Sequence, residues 1–321
     1  MKCLFCGKSI KDSSSNEEKE NGWHNRCTKS FFGTSTMPAL DISERQLLEL
    51  ANAAVNQGLT VPGVQKKLSL NLYGDADPRL TIVDYPTGYI LKPQSKEYGS
   101  LPEFEDLAMR LADIAGIKTV PHALIKMNGE YAYVTRRIDR DIKSDVVRLY
   151  AMEDFCQLSN RLTQDKYKGS YESCGRVIRK YSYRPGLDLS ELFLLVVFSF
   201  IIGNSDMHLK NYSLKETEPA NRHYCLSEAY DMLPVNIIMP EDTEQLALTL
   251  NGKKSNIRRN DFVKFAENCS ISIKYANAMM NKLCSMRDNF LMQCDQSFLS
   301  DELKTKTKEL IVQRTEVIRP D

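Results

Sequence analysis

The sequence has no excess of either charge and no apolar run long enough to cross a membrane. Lys and Arg number 43 and Asp and Glu 42, so the net charge of +1 provides no overall field to attract nucleic acid. The longest apolar stretch, from Leu192 to Ile202 with Ser199 within it, is much shorter than the roughly 20 residues of a spanning helix. The N-terminal residues contain no apolar segment of the signal-peptide kind. We therefore expect a soluble, intracellular protein that contacts DNA only through a local patch or a partner.

Disorder is also not expected, because 321 residues with 42% hydrophobic content can bury one large core or two modest ones. The nine cysteines are of two kinds. Six lie scattered among mostly apolar residues, which is typical of reduced, buried thiols in an intracellular protein: Cys156, Cys174, Cys225, Cys269, Cys284 and Cys294. The other three lie close to one another in the N-terminal segment.

The N-terminal segment, residues 1–40, has the spacing of a metal site. "CLFC" has two residues between Cys3 and Cys6, and "WHNRC" has two residues between His24 and Cys27, with a polar loop between the pairs. Two close pairs of sulfur and nitrogen ligands are typical of a closed, tetrahedral structural zinc site. The alternative is a set of unmetallated thiols beside a surface histidine. In neither case do we expect this segment to be catalytic.

A small lobe is predicted for residues 41–139, and it begins with a helix and a loop. Apolar residues recur at helical spacing between Ile42 and Asn56. The stretch "NQGLTVPGVQKKLSLNL" then turns at Pro62 and Gly63 and continues into an alternating strand. Such a loop can hold phosphates with its backbone N–H groups, although a Pro-Gly pair alone is usually only a turn.

The rest of this lobe has a characteristic order of elements. Strands are predicted at "RLTIVDY" and at "YILKP", which contains Lys92, and a helix at "PEFEDLAMRLADIAG", with Glu103 and Glu105 near its start. Two further strands flank the turn at Asn128 and Gly129. A protein-kinase small lobe has the same order of elements: a phosphate loop, a strand with a lysine, a helix with a glutamate and a hairpin. Taken alone, Lys92 would be read as a solvated lysine at a strand end.

A helical lobe is predicted for residues 140–321. Helices are expected at "AMEDFCQLS", at "LSELFLLVVFSFIIG", where the apolar run indicates a central buried helix, and twice near the C-terminus. The apolar helix is followed by "GNSDMHLKN", in which Asp206 and Asn211 are five positions apart, as in kinase catalytic loops. After a predicted hairpin, "AYDMLP" places Asp231 where a second magnesium ligand is expected.

Two other polar features of this lobe have alternative explanations. His208 and Lys210 either face the transferring phosphoryl group and stabilise its charge, or fix the loop by hydrogen bonds. The basic stretch "NGKKSNIRRND" is either a patch for an acidic partner or a solvated loop.

Taken together, the motifs "GVQKKLSL", "ILKP", "PEFEDLAMRLA", "RIDR", "EDFCQL", "GNSDMHLKNYSL" and "YDMLP" resemble the HipA/HipT family of bacterial serine/threonine kinase toxins. The resemblance covers roughly residues 40 to 300 in the same order, and "SDMHLKN" with "YDMLP" is its most specific part. The length of the chain and the segment "FFGTSTMP", which leads into the small lobe, are most similar to HipT, the shorter form. The fold class implied is α+β, a bilobal protein-kinase-like fold with an N-terminal zinc-knuckle-like segment.

The resemblance implies site residues position by position. Asp206 matches the catalytic aspartate, with His208 and Lys210 beside it, and Asn211 and Asp231 match the magnesium ligands. The implied ATP-binding residues are Thr60, Val61, Gly63, Gln65 and Lys67 of the phosphate loop, Lys92 of the strand, Glu103 of the helix, and Arg136 and Ile138 at the adenine hinge.

A regulatory serine of the family lies in the phosphate loop, just before the loop glycine. This chain has Thr60-Val61-Pro62 at that place. Thr60 is therefore the candidate for autophosphorylation, while Pro62 removes a hydroxyl and an N–H group from the pattern.

The implied function is that of an ATP- and magnesium-dependent serine/threonine protein kinase, a toxin that phosphorylates an aminoacyl-tRNA synthetase and arrests growth. Its implied partners are a HipB-like DNA-binding antitoxin, through which alone it would meet DNA, and a HipS-like small subunit. The alternatives are a kinase for a small molecule or lipid, since other kinase-like folds share the spacing of the two acidic motifs, and a non-catalytic scaffold. The polar residues that catalysis requires are all present in the kinase-like motifs, which favours an active kinase over a non-catalytic scaffold.

Overall fold

The computed structural model describes residues 1–41, 67–74, 78–81, 87–141 and 147–320. Residues Met1–Asp106 and Val120–Arg148 form one compact unit, and Leu107–Thr119 and Leu149–Asp321 form a second. The predicted helix at 42–56 and four predicted ATP-binding residues lie outside the described residues: Thr60, Val61, Gly63 and Gln65. The predicted domain boundaries at residues 40 and 139 stay predictions.

The first unit is built on a six-stranded sheet with the order β1-β3-β2-β4-β6-β5. Its neighbours pair antiparallel, except that β1 and β3 are parallel. The strands are β1 (Ala39–Asp41), β2 (Leu68–Tyr73), β3 (Arg79–Thr81), β4 (Tyr89–Lys92), β5 (His122–Met127) and β6 (Glu130–Arg136).

The predicted hairpin between β5 and β6 is confirmed. Met127 pairs with Glu130 across Asn128 and Gly129, and both turn residues have positive φ, 50° and 82°. Asn-Gly adopts this turn readily because neither residue pays a large steric cost there. The hairpin places β6 beside β4, with Lys92 opposite Tyr133.

Helices α1 (Asn16–Asn21) and α2 (Asn25–Phe32) lie in the N-terminal segment. The sequence prediction had a loop between the two ligand pairs, and α1 corrects it. Ser15 and Glu18 form a capping box that begins this helix, and Gly22 ends it with φ 73°. The helix therefore holds the ligand pairs at a fixed separation.

Helix α3 (Leu101–Ala115) begins in the first unit and ends in the second. The second unit also contains a three-stranded sheet of β9 (Met152–Asp154), β10 (Ser213–Glu216) and β11 (Tyr224–Leu226), with β10 in the middle. Short strands β7 (Arg140–Asp141) and β8 (Arg148–Leu149) lie in the intervening chain. Among the described residues, the remaining α-helices are α4 (Phe155–Leu158), α5 (Tyr171–Tyr181), α6 (Pro185–Ile202), α7 (Val235–Ile238), α8 (Arg259–Asn268), α9 (Ile273–Ser285), α10 (Arg287–Gln296) and α11 (Asp301–Ile318).

The predicted central helix is confirmed as α6. Most of its side chains are buried, including Phe193, Val197 and Phe200 at 0% exposure. Within the described part of the chain it is the one helix long and apolar enough to span a membrane, and 67% of it is buried in the protein. Burial on nearly all sides is the property of a core helix.

Two predicted helices differ from the structure. "AMEDFCQLS" contains the strand β9 followed by the single-turn helix α4, because Asp154 caps the helix through a capping box with Gln157. The stretch from Ile271 to Cys294 was predicted as one helix, but it is divided at Met286 into α9 and α10. An α+β fold with a strand-rich unit and a helical unit is otherwise as predicted.

Candidate active site

A polar loop follows α6, and its start is fixed by Gly203. This residue caps the helix with φ 72°, in the left-handed region where a Cβ is disfavoured. A Cβ there would also collide with the Leu310 side chain. The backbone of Gly203 accepts a hydrogen bond from the Asn236 N–H at 3.0 Å. The first residue of the loop is therefore held by the end of α6, by α7 and by α11.

Most of the loop is buried, while Asp206 is half-buried. Asn204, Met207 and Leu209 are at most 1% exposed. Ser205 donates to Asp242 at 2.6 Å, which ties the loop to the chain beyond α7. A rigid, buried loop that exposes one carboxylate has the form expected of a catalytic base.

Asp206 and Asn211, five positions apart in the sequence, are joined by one hydrogen bond, and a second bond joins Asp206 to Asn204. The Asn211 amide nitrogen donates to the Asp206 backbone oxygen at 3.0 Å, and the Asp206 N–H donates to the Asn204 side-chain oxygen at 3.2 Å. Because its nitrogen is the donor here, Asn211 has its amide oxygen left to serve as a hard cation ligand.

The Asp206 carboxylate accepts a hydrogen bond from the hydroxyl of Tyr167. Burial and the neighbouring Asp206 carboxylate raise the pKa of the Tyr167 phenol, so its hydroxyl keeps the proton and is the donor. The tyrosine ring packs edge-on against His208, with 5.0 Å between ring centroids. The backbone oxygen of Lys166 accepts from the Leu209 N–H at 3.1 Å, which fixes this tyrosine segment to the loop.

Lys210 forms an ion pair with Asp154 at 2.9 Å. Asp154 is the last residue of β9 and pairs with Ser213 of β10, so the lysine is held against the sheet that follows the loop. His208 is buried, with 5% exposure. Whether either residue faces a phosphoryl group stays a prediction.

Asp231 is connected to the catalytic-type loop through its neighbour Tyr230. The Tyr230 hydroxyl donates to the Lys210 backbone oxygen at 3.1 Å and is hydrogen-bonded to Ser213 at 2.6 Å. Asp231 itself has φ 59°, which is uncommon for a residue with a Cβ and is frequent at functional sites. The structure thus ties the segments of Asn211 and Asp231 together. Both side chains carry oxygen atoms of the kind that magnesium prefers, and their role as its ligands stays a prediction.

In the first unit, Lys92 forms a buried ion pair with Glu105 at 2.5 Å. Their side chains are 4% and 1% exposed. The Lys92 nitrogen also lies 5.4 Å from the centre of the Tyr133 ring. A strand lysine paired with a helix glutamate is the arrangement that positions ATP phosphates in kinases.

The helix carboxylate is therefore Glu105 and not Glu103, which the resemblance indicated. Helical geometry explains the difference, because residues two positions apart point to different faces. Burial raises the pKa of the Glu103 carboxyl, with smaller contributions from Glu130 and Asp106.

Three other predicted ATP-binding residues are described. Lys67 is exposed just before β2, and Arg136 and Ile138 are half-buried at and after the end of β6. In the same segment Arg137 and Arg140 both donate to Asp139, at 2.7 and 2.9 Å. Burial raises the pKa of the Asp139 carboxyl, but these two guanidinium groups outweigh it and hold the pKa well below its usual value. The turn after β6 is thus fixed by ion pairs.

The four predicted metal ligands of the N-terminal segment lie together. One ligand atom from each of Cys3, Cys6, His24 and Cys27 lies within 4.8 Å of the others. This cluster and Lys92 belong to the same unit.

Sequence reasoning missed Tyr167, Asp154 and Tyr230. Asp154 carries one usable signal, because an Asp three residues before a Gln marks a helix start. Tyr167 lies in a polar stretch without periodicity, so no local pattern indicates its contact with Asp206, 39 positions away.

Comparisons with known proteins identify the family and the fold of this chain. The model of the family "HipA-like C-terminal domain" matches residues 59–290. A Haemophilus influenzae protein named "Putative kinase" is 25% identical over 87% of this chain and 86% of its own length. "Putative kinase Y4dM" of Sinorhizobium fredii is 31% identical over 67% of this chain and 54% of its own length, and "Putative kinase Y4mE" is 29% identical over 63% and 48%. The chain spans about half the length of the two Sinorhizobium relatives.

Among solved structures, HipA of Shewanella oneidensis MR-1, in a complex with HipB and its operator DNA, has a TM-score of 0.69 at 18% identity. The match covers 80% of this chain and 64% of that protein, and at this identity it shows the fold alone. The predicted kinase-like α+β fold is confirmed. With the family model matched from residue 59 to residue 290, this chain belongs to the HipA-like kinase family.

Proposed function

We propose that this chain is an ATP- and magnesium-dependent serine/threonine protein kinase. The observation that carries the proposal is the hydroxyl of Tyr167 donating to the Asp206 carboxylate. An acceptor serine or threonine must present its hydroxyl to a catalytic base in the same way. Asp206 is thus accessible to a hydroxyl group, although the loop around it is buried.

Asp206 is assigned the role of base. It orients the acceptor hydroxyl toward the γ-phosphorus of ATP and receives its proton as the new O–P bond forms and the bond to the ADP oxygen breaks. Asn211 and Asp231 are assigned as magnesium ligands, and the ion, when bound, neutralises the charge on the phosphates. Lys92, held by Glu105, is assigned to the phosphates.

We assign roles to the other predicted site residues from their charge and their position in the structure. Lys210 lies beside the loop in an ion pair with Asp154, and we assign it to phosphoryl charge stabilisation together with His208. Lys67, Arg136 and Ile138 are proposed to contact the nucleotide. Thr60 is proposed as the autophosphorylation site, with phosphosite mapping after expression as its test.

The biological role we propose is that of a toxin whose target is an aminoacyl-tRNA synthetase. The solved HipA of Shewanella oneidensis is in a complex with HipB and operator DNA, which supports a HipB-like antitoxin for this chain. A HipS-like small subunit is proposed from the motif resemblance alone. Contact with DNA would then be made by the antitoxin, in agreement with the net charge of +1.

The substrate class is tested by supplying radiolabelled ATP and magnesium with either bacterial proteins or a protein-free metabolite and lipid extract. The proposal predicts label in one or a few protein bands, on serine or threonine. Label only in the extract would replace it by a small-molecule or lipid kinase. Label in neither, with ATP bound, would favour the scaffold.

A further inference from the structure

We propose that Cys3, Cys6, His24 and Cys27 bind one structural zinc ion, and that this ion fixes the N-terminal segment onto strand β5 of the first unit. The His24 Nδ1 atom lies 3.4 Å from the Cys6 sulfur and 3.8 Å from the Cys27 sulfur. Ligand atoms of a tetrahedral zinc, with bonds of about 2.3 Å to sulfur and about 2.0 Å to nitrogen, lie about 3.5 to 3.8 Å apart. These two distances are close to those of a zinc site, and all four ligand atoms lie within 4.8 Å of one another.

The orientation of His24 is a second, independent observation. Its Nε2 atom is 3.2 Å from the backbone oxygen of Ser9. A carbonyl oxygen only accepts, so Nε2 carries the proton and the lone pair of the neutral ring is on Nδ1, facing the thiols. Metal-binding histidines commonly have their second nitrogen fixed in this way.

Local backbone structure holds each ligand pair in place. The N–H of Gly7 donates to the Cys3 oxygen at 2.9 Å, which closes the turn that contains Cys6, and Gly7 has φ 69°. On the other side, His24 is the N-cap of α2 and Cys27 lies in its first turn. Three sulfur ligands and one nitrogen select zinc over magnesium or calcium, and four ligands close the site.

Each ligand pair is adjacent to a residue that contacts Leu124. Leu4, next to Cys3, accepts a hydrogen bond from the Leu124 N–H at 3.3 Å. Trp23, next to His24, donates its indole N–H to the Leu124 oxygen at 3.0 Å. Both backbone groups of Leu124 that face away from β6 are thereby satisfied.

This matters because β5 is the last strand of the described sheet. An open strand edge is a site of wrong pairing and aggregation unless it is covered. The Lys126 ammonium adds a third contact of β5 to the segment, donating to the Glu20 oxygen at 2.5 Å. The zinc would therefore join the two segments that cover this edge, one containing Leu4 and the other containing Trp23.

Aromatic packing joins the segment to the sheet as well. Trp23 stacks on Phe5 with 5.4 Å between centroids and packs against Phe31 and Phe32 at 5.6 and 5.5 Å. Phe32 in turn lies 5.4 Å from Tyr89 of β4. One small aromatic cluster is a limited core for a segment of this size, so a metal crosslink would add to the contacts that hold it on the sheet.

The chain contains a built-in probe of this arrangement, because Trp23 is its one tryptophan and is 1% exposed. We expect the purified full-length protein to contain about one zinc per chain by elemental analysis. A strong chelator is expected to remove the zinc, shift the tryptophan emission to the red and expose the segment to protease. Added zinc is expected to reverse all three changes.

Variants separate metal binding from packing. Cys6→Ser changes a half-buried ligand and is expected to lose most of the zinc, whereas Cys284→Ser, a half-buried cysteine of the second unit, is the matched control and should keep it. Cobalt added to the metal-free wild type should give the visible absorption of tetrahedral thiolate coordination. The proposal is overturned if folded wild type, with buried tryptophan emission, contains no zinc and takes up none. It is independent of the kinase proposal, because none of these readouts measures phosphate transfer.

Discussion

Two side chains from different elements, Lys92 and Glu105, meet in a buried ion pair that the sequence shows only in part. A lysine on a strand and acidic residues at a helix start were predicted. The choice between Glu103 and Glu105 depended on which face of α3 meets β4, and local pattern does not determine that. Asp206 and Asn211 lie in one short loop, so the contact between them needs no long-range packing, and their roles in catalysis stay predictions.

The ion pair gives a stability prediction. Lys92→Met leaves the Glu105 carboxylate buried beside a methyl group, so we expect the free energy of unfolding to fall by about 3 kcal/mol. The double variant Lys92→Met/Glu105→Gln removes both charges and should lose clearly less than the single variant. Urea unfolding followed by circular dichroism measures both, and equal losses would show that the pair is not coupled.

Tyr167 gives a kinetic prediction that rests on the proposed function. The Tyr167 hydroxyl is hydrogen-bonded to the Asp206 carboxylate and so competes with the hydroxyl of the protein acceptor. Tyr167→Phe is therefore expected to lower the KM for the acceptor several-fold with little change in kcat. The phenylalanine keeps the ring contact with His208, so the loop should remain ordered. Steady-state phosphorylation of the identified acceptor is the measurement. A large fall in kcat at unchanged KM would instead make Tyr167 a residue that positions the base.

At the scale of elements, the strongest sequence patterns gave the most accurate predictions. The apolar run of α6 and the Asn-Gly hairpin both appear as expected, because burial and turn chemistry act locally. The capped helix α1 and the strand β9 were missed. Both are short, and β9 exists because it pairs with β10, which lies some sixty positions later.

Gly203 joins the most predictable helix to the candidate catalytic loop. Gly203→Ala adds a Cβ at φ 72° that collides with Leu310, so we expect a loss of about 2 to 5 kcal/mol in the free energy of unfolding. Gly116→Ala is the matched control, because it has φ 82° but open space around the new Cβ, and about 1 to 2 kcal/mol is expected. Equal losses in the two variants would show that the contact with Leu310 is unimportant.

For the whole molecule, sequence order predicted the fold class because a strand-rich half is followed by a helical half. The family match and the HipA likeness agree with that order. The positions of the cysteines in the sequence also indicated two kinds of cysteine. In the structure the three N-terminal cysteines lie close to one another and to His24, and most of the scattered cysteines are buried. What sequence patterns do not give is the contact between distant segments, such as Tyr167 with Asp206 or Trp23 with Leu124.

The central claim is that Asp206 is the base of a phosphotransferase, and the most direct test is the rate of phosphate transfer from ATP to protein by Asp206→Asn. We expect a fall of about 10² to 10⁴-fold with ATP affinity and unfolding free energy close to wild type, because the amide keeps the shape but does not take a proton. Asp288→Asn, an exposed aspartate on α10 with 86% side-chain exposure, is the control and should transfer at the wild-type rate. Transfer by Asp206→Asn at the wild-type rate would contradict the account.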